Sequence, residues 1–321
     1  MTLTNDQIRR RGLLEIFLSG VAFGFLGYFG KSLLSEGVSP FELLAVRFLG
    51  ASFIMGIWIF LIQRRALRLS KNEILICLAL GSMGYAVFAS LFFLALKGLP
   101  ASLTVLLLYT YPVMVSLGGV LFLQERLSRG DCIAIGSVMI GLYWIVGPEW
   151  NIRDPLLIGF GLLSAMIYSI YILISRRYLK SADPYQAALL IQASAAVVVA
   201  TAAFHNPHFL VTRLMPKLLA HNFDVIGVVV VCTVLAMSLF LTGLPKVSST
   251  EMALFSTTEP VVGVIVAVTL MQEGLSARQW LGGLLILSAL IVVALSHRPD
   301  RRLDRRPDRR PDRRPDHQSM G

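Results

Sequence analysis

A chain of 321 residues would ordinarily make two soluble domains, at about 150 residues each, but 55% apolar and only 15% charged residues argue against that. A soluble surface needs about 25% charged residues, and here nine arginines and five aspartates are spent in residues 298–316 alone. Composition therefore disfavours a soluble enzyme, a disordered chain or a disulfide scaffold, and the net charge of +10 lies in that tail and in short loops rather than in a nucleic-acid-binding patch.

Apolar runs near 20 residues, enough to cross a hydrocarbon core of about 30 Å, recur ten times. They lie near 14–34, 43–62, 74–96, 101–123, 131–147, 156–175, 185–205, 223–243, 250–271 and 279–296. Backbone polar groups in hydrocarbon must be satisfied within the segment, so each run is expected to be a helix. The chain thus reads as an all-α polytopic membrane protein. The first run follows Arg9, Arg10 and Arg11 but continues past 20 residues without a small-x-small cleavage site, so it is expected to be a retained helix rather than a signal peptide.

With ten spans and a cytoplasmic N-terminus, thirteen lysines and arginines fall in inside loops and five in outside loops. That bias predicts both termini on the cytoplasmic side. Residues 1–13 are then a cytoplasmic N-terminus. Residues 297–321 are a cytoplasmic tail repeating Arg-Arg-Pro-Asp, expected to be disordered because proline recurs and there is no apolar face to bury.

The chain also repeats itself. Shifted by 148 residues, 99–128 lies over 247–276 with nine identities, among them Thr110/Thr258, Pro112/Pro260, Gln124/Gln272, Glu125/Glu273 and Ser128/Ser276. A shift of 144 brings Pro40 over Pro184. Each half, 14–147 and 156–296, then holds five helices, and an odd number inserts the second half upside down. Two inverted five-helix repeats are a transporter architecture with substrate held near the midplane.

Pro100-Ala-Ser-Leu-Thr-Val-Leu-Leu-Leu-Tyr-Thr-Tyr-Pro112 followed by Leu123-Gln-Glu-Arg-Leu-Ser128 resembles the EamA domain of the drug/metabolite transporter superfamily. So does the second copy, Ser256-Thr-Thr-Glu-Pro-Val-Val262 followed by Gln272-Glu-Gly-Leu-Ser-Ala277, and so does Phe29-Gly-Lys31 with Gly37-Val-Ser-Pro40 and Arg47-Phe48. The resemblance spans about residues 14–296. It implies a ten-helix carrier of small metabolites, often an exporter, working by alternating access around a central cavity. Gly274 stands where the first copy has Arg126, a departure that touches one loop anchor.

Glu259 is the leading candidate for chemistry. If its helix starts near Ser249, it lies about 15 Å in at 1.5 Å per residue, where an ionisable group is expensive and should face a cavity or the bundle interior. From there it could exchange a proton or contact an amine; the competing reading is a structural glutamate bonded to a neighbouring helix. Pro260 follows directly and is expected to bend the helix, as is Pro112 in the first copy; both are candidate hinges. Lys31 and Arg47 are the cationic counterparts, able together to hold a carboxylate, with snorkelling to headgroups as the plainer alternative.

Gly20, Gly24, Gly27 and Lys31 form one helical stripe, matched in the second half by Ser164, Tyr168, Tyr171 and Ser175. The glycines serve either a cavity or close helix packing. Tyr168 and Tyr171, with Tyr109, Tyr111 and Tyr85, are candidates for a hydrogen-bonding substrate cage. Ser248-Ser-Thr-Glu251 reads as a capping box, and Glu125 and Glu273 as loop structure. Five histidines in loops, at helix ends or in the tail and three isolated cysteines, Cys77, Cys132 and Cys232, give no metal or redox motif, so no metal or cofactor is expected beyond proton coupling.

The expectation is a non-enzymatic secondary transporter of a small polar, amino-acid-like metabolite, an exporter in a bacterial inner membrane. It would have lipid and substrate as partners, bind no nucleic acid, and act as a monomer or homodimer. The alternatives are a broad-specificity drug exporter and a membrane scaffold or receptor-like protein without flux.

Overall fold

Helix starts are written into the sequence as reciprocal caps. Thr4 with Gln7, Ser39 with Glu42 and Ser70 with Glu73 each close a capping box, the side-chain oxygen taking the third N–H while the acidic or amide group takes the cap's own N–H. Ser276 and Gln279 exchange the same two bonds. These short polar signals stand at the ends of apolar runs, where the first N–H groups of a helix otherwise lack partners.

The computed structural model describes residues 4–62, 68–111, 113–115, 117–118, 129–145, 155–179, 182–203, 214–247, 255 and 258–296. Pro112, Glu125, Arg126, the 248–251 capping box and the arginine-rich tail lie outside the described residues. The helices are α1 (Asn5–Gly24), α2 (Leu26–Ser35), α3 (Pro40–Gly56), α4 (Lys71–Ala79), α5 (Ala86–Gly98), α6 (Ala101–Leu108), α7 (Arg129–Ile145) and α8 (Pro155–Tyr178). They continue as α9 (Pro184–Ala203), α10 (Met215–Ala220), α11 (Asn222–Ile226), α12 (Ala236–Gly243), α13 (Thr258–Thr269) and α14 (Ala277–Ser296). No strand occurs among the described residues.

Several of these run on as one rod. Wider π-helical turns at Leu80–Tyr85 and Gly227–Leu235 join α4 to α5 and α11 to α12, and a third, Ile57–Ile62, extends α3. Among the described residues, six resulting helices are long and apolar enough to cross a membrane: Asp6–Ser35, Pro40–Leu61, Lys71–Gly98, Pro155–Ser175, Pro184–Ala203 and Asn222–Lys246. Large apolar side chains such as Phe53, Leu75 and Met83 face outward, as bilayer contact requires.

Packing crosses between the two ends of the chain throughout. α1 packs on α12 and α13, α8 on α5 and α6, α3 on α9, α6 on α13, and α7 on α14. The 71–85 segment packs on α9, and the 227–235 segment on α3. The main core gathers Phe29, Leu44, Phe48, Tyr85, Phe93, Ala195 and Cys232. Cys77 and Cys232 are buried thiols of that core.

The glycine stripe of α1 is used for packing. A Cβ on Gly20 would come within 3.0 Å of Thr258, and one on Gly24 within 2.7 Å of Val262 and 3.0 Å of the Glu259 carbonyl oxygen. Bare backbone there lets α1 lie directly on the first turn of α13 and fixes where Glu259 sits.

Polar links tie the halves at both ends of the bundle. At one end Lys246 Nζ donates to Glu15, which also accepts from Arg11 Nε at 3.0 Å. At the other, Ser32 donates to Asp224 at 2.9 Å, and His221 lies 3.5 Å from Glu36. Lys217 Nζ donates to the carbonyls of Glu36 and Gly37, in the turn where Gly37 takes a φ of +78°.

Candidate functional site

α6 stops at Leu108, and Tyr109 and Thr110 form a turn before helix resumes at Tyr111. Thr110 Oγ1 donates to the Leu107 carbonyl at 2.8 Å, alongside the Thr110 backbone N–H at 3.3 Å, which ties the turn back to the end of α6. Tyr109 and Tyr111 therefore emerge from a discontinuous stretch just before position 112. In the second half Glu259 occupies the first turn of α13 and Pro260 follows, in a part of the helix where a missing N–H costs no hydrogen bond. The bend expected at Pro260 would fall on residues before 258, and 256–257 lie outside the described residues.

The Tyr109 hydroxyl donates to the Glu259 carboxylate. Its ring lies 5.7 Å from that of Tyr111, and Tyr111 meets Tyr168 edge-on at 4.8 Å. Tyr168 stacks on Tyr171 at 5.8 Å and 11°. Tyr171 lies 5.8 Å from Tyr85, and Tyr85 lies 5.2 Å from Phe48. The guanidinium of the neighbouring Arg47 stands 5.4 Å over the Phe48 ring, and Arg47 is in turn an electrostatic neighbour of Glu259. Phe88 braces the far side, 4.9 Å from Tyr85 and 4.6 Å from Tyr168. The side chains thus form an open ring that starts at Glu259 and ends at Arg47, drawn from both halves of the chain.

Ring contacts of this kind are worth about 0.5–1.5 kcal/mol each beyond area burial. Ser164 Oγ holds α8 against the open ring by donating to the Phe88 carbonyl at 2.9 Å, while Ser169 Oγ, 3.1 Å from the Tyr111 carbonyl, has the Ala165 carbonyl of its own helix as its nearer acceptor at 2.7 Å. A bare Gly84 lets Tyr171 lie against the π-helical turn, since a Cβ there would come within 3.3 Å of the tyrosine ring. Arg47 is buried, and its Nε donates to Thr233 Oγ1 at 2.9 Å. Arg47 and Glu259 make no ion pair within 4.0 Å, so Arg47 is held by Thr233 rather than by the carboxylate.

Six of the sequence candidates, Glu259, Tyr109, Tyr111, Tyr168, Tyr171 and Tyr85, join Arg47 in this ring. Lys31 does not. Its Nζ donates to the Leu99 carbonyl and lies 3.8 Å from Glu273, at one end of the bundle. Glu273 also accepts from Ala101 N at 2.6 Å, Ser102 N at 3.0 Å and Ser102 Oγ at 2.6 Å. Lys31 and Arg47 are therefore engaged with different partners rather than sharing one anion. Thr233 and Phe48 are ring supports that the sequence reading missed. A signal for Thr233 existed, because the 148-residue shift lays it over Tyr85.

Comparison with known proteins agrees with this architecture. Residues 10–147 and again 156–295 match the EamA-like transporter family, so the chain belongs to that family. An uncharacterised transporter of Archaeoglobus fulgidus is 27% identical over 65% of this chain and 74% of its own length. An uncharacterised transporter of Clostridium kluyveri is 24% identical over 52% of this chain, the match spanning 57% of that relative's length. A solved crystal structure shares the fold at a TM-score of 0.63 and 20% identity, covering 91% of this chain and 98% of that one. The family and both relatives are transporters rather than enzymes, and membership of the family places the chain in lipid.

Proposed function

We propose that the protein is a secondary transporter of a small zwitterionic metabolite, moved by alternating access across two inverted five-helix halves. The observation that carries this reading is the open ring of side chains that runs from Glu259 to Arg47. It holds one buried cation, one carboxylate and five phenols, with contributions from both halves. A ligand with a carboxylate and an amine would match Arg47 and Glu259, and the phenols would supply hydrogen bonds and flat apolar walls. Glu259 would also take and release the coupling proton, and Pro112 and Pro260 would be the hinges that let the halves rock.

The helix pairing supports the inverted relation. Under the 144–148 shift, α1 and α2 correspond to α8, α3 to α9, the 71–98 rod to the 222–243 rod, α6 to α13, and α7 to α14. The most extensive contacts between the halves then have a mirror or are their own mirror: α1 on α12 and α13 answers α8 on α5 and α6. With ten spans, both termini are cytoplasmic, and the plasma membrane of a bacterium is the expected site. Export is the direction favoured by the family resemblance.

Comparing metabolites retained and released by cells lacking and overproducing the protein, followed by counterflow of the responding compounds in proteoliposomes, tests the reading. Accumulation of an amino acid or related zwitterion in the lacking strain is the expected result. No flux of any small metabolite would favour a scaffold, and broad efflux of unrelated organic compounds would favour a drug exporter.

A further inference from the structure

Arg47 is held in an unusual way. Its Nε is bonded to Thr233 Oγ1, and the same Thr233 oxygen donates its own proton to the Val228 carbonyl at 2.7 Å. Val228 and Thr233 both belong to the π-helical Gly227–Leu235 segment, and the two are five residues apart, the spacing of a π-helical turn. With its proton committed to Val228, the Thr233 hydroxyl has only lone pairs left to offer Arg47. Thr233 is 1% exposed and Arg47 4%, so no water competes freely for either group.

The first half presents its own π-helical segment to the same place. Leu80–Tyr85 ends on Tyr85, the residue laid over Thr233 by the 148-residue shift, and Tyr85 contacts the Phe48 ring. The adjacent pair Arg47–Phe48 is therefore clamped on one side by Thr233 and on the other by Tyr85. Among the described residues nothing hydrogen-bonds the two Nη groups of Arg47. These are the donors that Arg47 has left to offer.

We infer that Thr233 is a positioning residue that fixes Arg47 so that only its terminal Nη edge is presented, selecting a planar two-oxygen anion, a carboxylate, bound end-on. A guanidinium pairs with a carboxylate through two parallel N–H bonds, either along its Nε side or across its two Nη groups. Thr233 occupies the first mode and leaves the second. The inference rests on the transporter reading for its substrate half, while the Thr233–Arg47 geometry stands apart from it.

Two readouts separate these halves. In full-length protein labelled with 15N-arginine in detergent micelles, the Arg47 Nε–H signal is assigned by its loss in Arg47→Lys. That proton is expected to exchange slowly in the wild type and in Thr233→Ser, and at least about tenfold faster in Thr233→Val and Thr233→Ala, as loss of a buried charge-assisted bond implies. In proteoliposome counterflow of an amino-acid mixture, Thr233→Val is expected to raise the half-saturating concentration of the best substrate about tenfold with maximal rate within about twofold. Thr233→Ser should stay near the wild type, and the carboxamide of that substrate should compete poorly in both. Unchanged Nε–H exchange in Thr233→Val and Thr233→Ala overturns the positioning role, as does a maximal-rate defect with unchanged half-saturation. If the wild type moves no amino acid, the transporter reading fails and the exchange measurement alone decides the role of Thr233.

Discussion

Glu273 caps a helix that begins 172 residues before it, its Oε1 accepting from the backbone N–H of Ala101 at 2.6 Å. With the bonds to Ser102, one carboxylate satisfies two of the four unpaired N–H groups of α6 and complements the positive end of its dipole. Gln272, at φ 53°, is in the left-handed region and turns the chain there. Glu273→Ala is expected to destabilise the protein by about 1–2 kcal/mol, the cost of a lost cap, read as a lower unfolding midpoint in detergent. Lys31→Met should cost less than about 1 kcal/mol, because that ion pair is partly exposed.

Gly24 sets the position of Glu259. The Cβ of Gly24→Ala would press on Val262 and on the Glu259 carbonyl, and overpacking of this kind costs about 1–3 kcal/mol. The expected outcome is a lower unfolding midpoint together with reduced transport. Gly159→Ala serves as the control: nothing lies within 4 Å of its Cβ, so stability should hold or rise slightly.

Much of this was legible in the sequence, for identifiable reasons. Apolar runs near 20 residues reported the helices because hydrocarbon tolerates little else, and Pro112/Pro260 with Glu125/Glu273 reported the repeat. The tyrosines and Glu259 stood out because polar groups inside such runs need partners. The fate of Lys31 and Arg47 was not legible. Whether a basic side chain snorkels, pairs or lines a cavity depends on which distant residue arrives beside it, and Thr233 and Glu273 arrive from the other half of the chain. The π-helical turns were hidden for a related reason: an apolar run such as Gly227–Leu235 reads alike for 3.6 or for a wider turn.

Tyr168 touches three rings, those of Phe88, Tyr111 and Tyr171. Tyr168→Phe keeps the contacts and removes one hydroxyl, so stability should change by less than about 1 kcal/mol while substrate affinity falls. Tyr168→Ala should cost about 3–5 kcal/mol, as large-to-small core changes do. Unfolding midpoints and half-saturating concentrations, measured on both variants, separate wall from hydrogen-bond donor.

The inverted relation predicts opposite sides for matching loops. Single cysteines placed at Arg126 and Arg278, in a background lacking Cys77, Cys132 and Cys232, should react with a membrane-impermeant maleimide from opposite faces of right-side-out vesicles. Labelling from the same face would remove the two-fold relation.

The central claim, that Glu259 in the side-chain ring couples substrate movement to protons, is tested most directly by counterflow in proteoliposomes with and without an imposed pH gradient. The account predicts that the wild type responds to the gradient, whereas Glu259→Gln still exchanges substrate at equal pH but no longer responds. An undiminished gradient response in Glu259→Gln would contradict it.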